Sequence, residues 1–492
     1  MAKSVFLTGP EPTLKLVPND IWLPGLYSRR VLCFALPPSS SQDKVVDIFQ
    51  RAMKALVQGT PELGATSIIV QNAAPHDATK PWRELAPGRG IELVIKDLTA
   101  TMPSYKQLKV SGFPLSEFKD SEIMPIEGPI VPDPAAVSKF QLNFIEGGVL
   151  LASCIYHHLT DGNGMNAIMR ALAENCKKAA EKPGDLPPHV LDTNRAVFDV
   201  PEGLNEIHHH QAYSIDEEIF TPGVSHAEAA PEVNGIESPP PPQFQPHYYH
   251  ISAENVQDLK EYASSIVPVS THDAISAALW RNLILSRVST GELLDLDKQT
   301  YYTIPHNARK YLNLPSTWIG NLTYFIVAHA TVREVTQPDS LPLLASRIRT
   351  AISSVTPAHV HGIISLRKKH PFSLSWWPIM VASETHIVAM TSFYHSELLM
   401  SDSSDGSPLV DWGSALGHEA KHFTSTNLGA FAAQFQRAHF VGPKLPPLGR
   451  GCFVHVGLVQ AEVESFGREQ VWKRFFSGKD VDEVTVGNGS LD

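Results

Sequence analysis

The sequence predicts an α/β protein built as two folded units. Three observations point there. The chain has 492 residues, more than one hydrophobic core usually supports, so two units are the default. Short β-prone apolar runs alternate with segments of helical periodicity in both halves. Between the halves, Pro183 to Pro246 is dense in proline, culminates in Ser238-Pro-Pro-Pro-Pro242 and loses periodicity. The expected division is residues 1–185, a proline-rich crossover linker over the surface at 186–246, and residues 247–492. Some late segments are expected to pack back on the first unit.

In the first unit, Arg30 to Leu36 reads as a strand. Ser39-x-x-Gln42 offers a capping box, and Val45, Val46, Ile48, Phe49, Ala52, Met53 and Leu56 then mark one helix face. Further strands are predicted at Ser67–Val70, Ile91–Asp97, Phe140–Phe144 and Val149–Tyr156. Glu146-Gly147-Gly148 supplies a hairpin turn between the last two. In the second unit, helices are predicted over Ala253–Ile266, Thr271–Leu285, Pro338–Ser354 and Gln460–Phe476. Strands are predicted at Thr300–Ile304, Leu322–Ala330, Ile387–Phe393 and Cys452–Leu458, with a short element at Gly429–Gln436.

Composition narrows the class. A formal charge of −11 argues against nucleic acid as a partner. No apolar run approaches the roughly eighteen residues of a membrane span. The four cysteines, Cys33, Cys154, Cys176 and Cys452, form no CxxC pair, which fits a reducing compartment. A cytoplasmic monomer is expected.

The richest segment is His157-His-Leu-Thr-Asp-Gly162. It stands where the apolar run Val149–Tyr156 ends and a helix begins, marked by Ile168, Met169, Leu172, Ala173 and Cys176. A histidine held there on rigid backbone can act as a base on a substrate in a cleft. Asp161 and Gly162 can turn the chain sharply beneath it. Pro305-His-Asn-Ala-Arg309 follows a strand and offers Asp161 a cation. Gly162-Asn-Gly-Met-Asn-Ala167 also matches the dinucleotide turn G-x-G-x-x-A, which makes an NAD(P)-dependent oxidoreductase the rival reading. No strand ending in an acid follows that helix. Neighbouring histidines on a strand face opposite ways, so His157 and His158 do not share a metal. His208-His-His210 lies in the linker, and no metal site is expected.

Together these pieces resemble the BAHD acyltransferase superfamily, and within it the fungal trichothecene 3-O-acetyltransferase-like branch. His157, Asp161 and Gly162 match that family's His-x-x-x-Asp-Gly, and Asn307-Ala308-Arg309 its Asp-Gly-Arg-like segment. Gly320-Asn321, the strand-borne Thr391-Ser392 and the helix opening Thr271–Trp280 also match, in order. The family's Asp-Phe-Gly-Trp-Gly is degraded here to Asp411-Trp412-Gly413-Ser414. The first motif separates this chain from the peptide-synthetase condensation domains, which carry His-His-x-x-x-Asp-Gly with the second histidine active. The register here selects His157.

The resemblance implies two chloramphenicol-acetyltransferase-like domains with a solvent channel between them. It implies acetyl-CoA or another acyl-CoA as co-substrate, no bound cofactor, and a hydroxylated small-molecule acceptor such as a fungal terpenoid or polyketide. His157 becomes the general base. Asp161 pairs with Arg309 as a brace, and Gly162, Asp411 and Gly413 are structural at the active site. Thr391, Ser392, Trp412 and Asn321 are candidates for the oxyanion, coenzyme A or substrate contacts. Trp376-Trp377, Phe393 and Tyr394 could line an apolar pocket. A non-catalytic scaffold of the same fold is the other alternative.

Overall fold

The computed structural model describes residues 2–22, 25–74, 80–128, 132–200, 214–215, 244–369, 374–375, 386–392, 410–420, 422–424, 438–444 and 451–479. In chain order the strands of the first half are β1 (Lys3–Leu7), β2 (Tyr27–Ala35), β3 (Thr66–Val70), β4 (Trp82–Ala86), β5 (Ile91–Asp97), β6 (Ala135–Ala136), β7 (Ser138–Ile145), β8 (Gly148–Tyr156) and β9 (Ser214–Ile215). Those of the second are β10 (Phe244–Ile251), β11 (Gln299–Asn307), β12 (Thr323–Thr331), β13 (Leu374–Ser375), β14 (Ile387–Ser392), β15 (His422–Thr424), β16 (Ala438–Lys444), β17 (Cys452–Val459) and β18 (Ser477–Lys479). They form two large sheets, β1-β5-β7-β8-β2-β15 and β12-β11-β14-β16-β17-β10-β18. A small sheet β4-β3-β6 and the pair β13-β9 complete them.

Strand β8 is the spine of the first sheet. Every residue of it is buried, as a continuous apolar run requires when both faces are covered. It runs antiparallel to β7 and to β2, joined to β7 by a tight turn in which Gly147 takes φ +72°. The helices Gln42–Gly59 and Gly162–Glu181 lie together beside the first sheet. Their buried stripes include Ile48, Phe49, Ala52 and Met53 on one, and Ile168, Met169, Leu172, Ala173 and Cys176 on the other. The predicted cap shifts by two residues: Ser41, not Ser39, accepts from the Lys44 amide at 3.2 Å. The second sheet is covered by the helices Thr271–Ser289 and Leu341–Ser353.

The chain crosses between the two cores in both directions. Trp22, Phe198 and Val200 from the first half lie in the second core. Ile319, Trp412 and Leu416 lie in the first, and β15 pairs with β2 at its edge. Part of the expected surface linker is therefore packed structure. Within 186–200, Leu191 and Phe198 are buried, and Asp192 bridges to Trp318.

Other differences have plain causes. The predicted helix Gln460–Phe476 is two helices, Gln460–Phe466 and Gln470–Phe475, with Gly467 ending the first. Strand β1 and the helix Pro357–Lys369 carry weak periodicity and were not predicted. The sequence features at Ser238–Pro242, His208–His210, Trp376-Trp377, Phe393, Tyr394 and Gly429–Gln436 lie outside the described residues.

Candidate active site

His157 is the first residue beyond β8. Its amide donates to the Leu26 carbonyl at 2.9 Å, which carries the edge pairing with β2 one step past the strand. The residue is half-buried, unlike the fully enclosed strand before it. Its Nδ1 is buried. Burial pulls the imidazole pKa below its ordinary value, and its own carbonyl, Asp161 and Asn321 oppose that pull. The ring is therefore neutral near pH 7 and able to take a proton. His158 points elsewhere: it is buried, and its Nδ1 lies 2.9 Å from the Tyr156 hydroxyl.

Asp161 is the N-cap of the helix Gly162–Glu181. One carboxylate oxygen accepts from the amides of Asn163 and Gly164, both at 3.0 Å. Arg309 grips both oxygens, at 2.7 and 2.9 Å, and the Leu322 amide adds a bond of 2.9 Å. Arg309 is in turn fixed by the Gly320 carbonyl at 2.8 Å and by the face of Trp318. Burial alone would raise the Asp161 pKa, but Arg309 and the backbone donors outweigh it and hold the pKa below the usual carboxylate value. All of this turns Asp161 onto the second sheet's loops, at the junction of β11 and β12, with its oxygens fully engaged.

Asn321 holds the histidine's backbone. Its Nδ2 donates to the His157 carbonyl at 2.9 Å and to that of His158 at 3.0 Å. Buried, and with its amide nitrogen committed to these two carbonyls, it acts as a backbone clamp on the histidine pair. A further clamp had no signal in the sequence. Arg195, in the segment expected to be linker, donates to the Leu159 carbonyl at 3.0 Å and pairs with the buried Asp20 at 3.0 Å. Asn19 bonds to the Asn321 carbonyl, and Arg367 to Asn19. Only tertiary contact brings residues near 20, 195, 321 and 367 together, and of the residues named here only Asn321 sits in a motif.

The glycines divide unexpectedly. A Cβ at Gly162 would meet nothing within 4 Å, whereas one at Gly164 would fall 1.9 Å from the Thr160 hydroxyl and 3.1 Å from Ile319 Cα. Gly164 is thus the position where the helix must approach the second half closely, and the turn does not need Gly162. We expect Gly162→Ala to leave stability within about 0.5 kcal/mol of wild type. Gly164→Ala should cost ~1–3 kcal/mol through overpacking, read as a lowered denaturation midpoint.

Other candidates lie elsewhere. Trp412 is fully buried, edge-on to Phe34 at 5.0 Å, so it is a core residue and not an oxyanion donor. Asp411 pairs with Lys177 at 2.8 Å, and a Cβ at Gly413 (φ +87°) would press on Lys177 Cα. Phe34 pairs with Val149, seven residues from Tyr156 along β8, or about 23 Å at ~3.3 Å per residue. Asp411, Trp412 and Gly413 therefore brace the far end of the first unit and are not structural at the histidine. Thr391 pairs with Phe440 and Ser392 with Val441, so the two hydroxyls face opposite ways. Val441 belongs to the helix-covered core, which puts Ser392 on that side and Thr391 on the side away from the helices.

The dinucleotide reading fails on the same geometry. The amides of Asn163 and Gly164 are occupied by Asp161, and β8 has antiparallel neighbours on both sides instead of a parallel nucleotide-binding sheet. Among the described residues no group of histidine, cysteine and acidic side chains could hold a metal. None of their helices is long and apolar enough to cross a membrane.

A neutral, half-buried imidazole at a strand end, clamped from a second sheet, is chemically able to accept a proton during group transfer. Comparison with known proteins makes the class specific. Residues 137–411 match the model of the Transferase family, and residues 26–176 that of the trichothecene 3-O-acetyltransferase-like N-terminal domain. The chain belongs to this transferase family and is an acyltransferase of the BAHD, trichothecene 3-O-acetyltransferase-like type.

Two relatives and one structure illustrate the likeness. The chain is 27% identical to the enoyl-CoA isomerase/hydratase claC of Penicillium crustosum over 413 residues, 81% of this chain but 45% of claC. It therefore spans under half of that protein. It is 27% identical to the O-acyltransferase pigD of Monascus ruber, over 70% of this chain and 76% of pigD. The crystal structure of F. graminearum TRI101 with coenzyme A and deoxynivalenol superposes with a TM-score of 0.73 at 18% identity, over 96% of this chain and 100% of that one. That likeness establishes the shared α/β fold.

Proposed function

We propose that the protein transfers an acetyl group from acetyl-CoA to a hydroxyl of a fungal secondary metabolite, a terpenoid or polyketide, with His157 as general base. The observation that carries this reading is the strand-end imidazole, kept neutral by burial while Asp161 is committed to Arg309. Relatives named as O-acyltransferases and O-acetyltransferases, and a neighbour bound to coenzyme A, support the donor and the acceptor group.

In this mechanism Nε2 of His157 removes the proton from the acceptor hydroxyl as its oxygen attacks the thioester carbonyl. General-base help of this kind is worth about 10²–10⁴-fold. The tetrahedral oxyanion needs a donor, and Thr391 is the candidate whose face is right. Collapse breaks the carbon–sulfur bond, and the imidazolium returns its proton to the departing thiolate. No acyl-enzyme forms. The two substrates would meet at His157 in a channel between the sheets. We take the enzyme to be a cytoplasmic monomer, in keeping with four buried free cysteines.

The test is thiol release from acetyl-CoA with a panel of hydroxylated terpenoids and polyketides. Acceptor-dependent release with formation of an acetyl ester is the expected result. Acceptor-independent release alone, or no release with every acceptor, would overturn the reading.

A further inference from the structure

The second sheet has two unlike faces. One, with Tyr249, Tyr302, Met390, Val441, Val454 and Val456, packs into the second core beneath the helices. The residues alternating with these form the other face. There, pairing aligns Thr391, Phe440, His455 and Tyr248 in one row across β14, β16, β17 and β10. Phe453, two residues before His455 on β17, packs against the first core, so this face looks toward the first sheet.

His455 is the anomaly of that face. It is 3% exposed, and among the described residues neither ring nitrogen has a hydrogen-bond partner. Its ring sits between those of Tyr248, at 5.0 Å, and Phe440, at 5.5 Å. Burial, aided by nearby His247, lowers its pKa to about 3, so the ring is neutral and presents one donor and one acceptor. On β11, the strand next to β14, the Thr303 hydroxyl lies on the same face, level with Ala389, and is also buried and unpartnered among the described residues. Buried polar groups are ordinarily satisfied, because an unmet one carries its full desolvation cost. A phenylalanine or leucine would fill the space between two aromatic rings without that cost.

The row also lies near the reacting end. Continued two residues past its last pair, Thr303 with Ala389, the parallel register of β11 and β14 sets Thr391 level with Pro305, two residues before Asn307 and close to the loop that carries Arg309. His455 is two strand spacings from Thr391, roughly 10 Å.

We propose that His455 is a substrate-recognition residue, bonding a hydroxyl or carbonyl oxygen on an uncharged part of a substrate held between the sheets. The assignment deepens the acetyl-transfer reading and rests on it. Two substrates carry such oxygens: the acceptor, and the amide-bearing arm of coenzyme A. Phe440 and Tyr248 supply the apolar walls, and the imidazole supplies a directional contact. The Thr303 hydroxyl offers a second.

The test compares wild type, His455→Leu and His455→Gln. Binding of coenzyme A is measured by calorimetry, and KM is measured for acetyl-CoA and for the best acceptor of the panel above. His455→Leu should melt no lower than wild type, since it removes an unmet polar group. It should raise KM for one substrate tenfold or more, with kcat changed less than threefold, and His455→Gln should recover part of the loss. A loss confined to coenzyme A and acetyl-CoA identifies the pantetheine arm; one confined to the acceptor identifies an acceptor oxygen. Unchanged KM values and coenzyme A binding in His455→Leu overturn the assignment, as does a lower melting temperature that His455→Gln restores without any effect on KM. Wild type that neither binds coenzyme A nor transfers acetyl overturns the acetyl-transfer reading itself, and the assignment falls with it.

Discussion

His157→Ala should reduce acetyl transfer by at least about 10²–10⁴-fold while leaving the fold intact, because its side chain contributes a base and little packing. The removed ring is half-buried, and the backbone clamps on its carbonyl come from Asn321 whatever side chain is present. The melting temperature should stay near that of wild type, and coenzyme A should still bind. Turnover within a few-fold of wild type would sink the mechanism. The pH dependence carries a further check. Burial lowers the folded-state pKa of His157 below its unfolded value, so the neutral base persists somewhat below pH 6.5. Activity should hold as pH falls through 6.5 and drop only at the lower folded-state pKa. The same shift makes the native state bind fewer protons than the unfolded chain in that window. Its stability contribution is complete above the unfolded pKa and is lost as pH falls below it.

Asp161→Asn should be the most destabilising conservative change at the site. The amide keeps the shape but loses the charge that offsets Arg309, whose side chain is 7% exposed. It must also place an NH2 group where Arg309 or the Leu322 amide now donates. Breaking a buried ion pair by removing one partner costs about 3–5 kcal/mol. We expect a loss of that order in chemical denaturation, together with a fall in turnover from a displaced loop. Arg309→Met should behave alike, leaving a buried carboxylate with backbone donors only. An Asp161→Asn enzyme that melts normally yet does not turn over would instead assign Asp161 a direct chemical part.

The sequence was most informative where one local pattern carried the whole signal. Strand β8 is apolar at nearly every position, and the helix after it keeps its stripe, so the strand-to-helix junction that presents His157 could be read directly. The pairing of Asp161 with Arg309 was also legible, because each stands beside a recognisable segment. What escaped was set by tertiary contact. Arg195 looked like linker because prolines surround it, yet it closes on Asp20 and on the carbonyl of Leu159. Asn321 was expected to meet substrate, and its orientation toward two carbonyls depends on a loop from the other half of the chain. Trp412 kept a motif's spacing but not its surroundings, since its ring is fixed by Phe34 at the opposite end of β8. Gly162 and Gly164 were indistinguishable in one dimension. Only the proximity of Thr160 and Ile319 tells them apart.

The cap on the helix Gly162–Glu181 has a consequence for the order in which competence is acquired. Asp161 can bond the first helical amides as soon as its own segment folds, but its charge is balanced only when Arg309 arrives, 148 residues later. Strand β15, later still, closes the free edge of β2. During synthesis, a folded first half would hold the reactive histidine on an unsettled loop beside an open sheet edge. A fragment ending before Arg309 would carry His157 without the brace that fixes its loop.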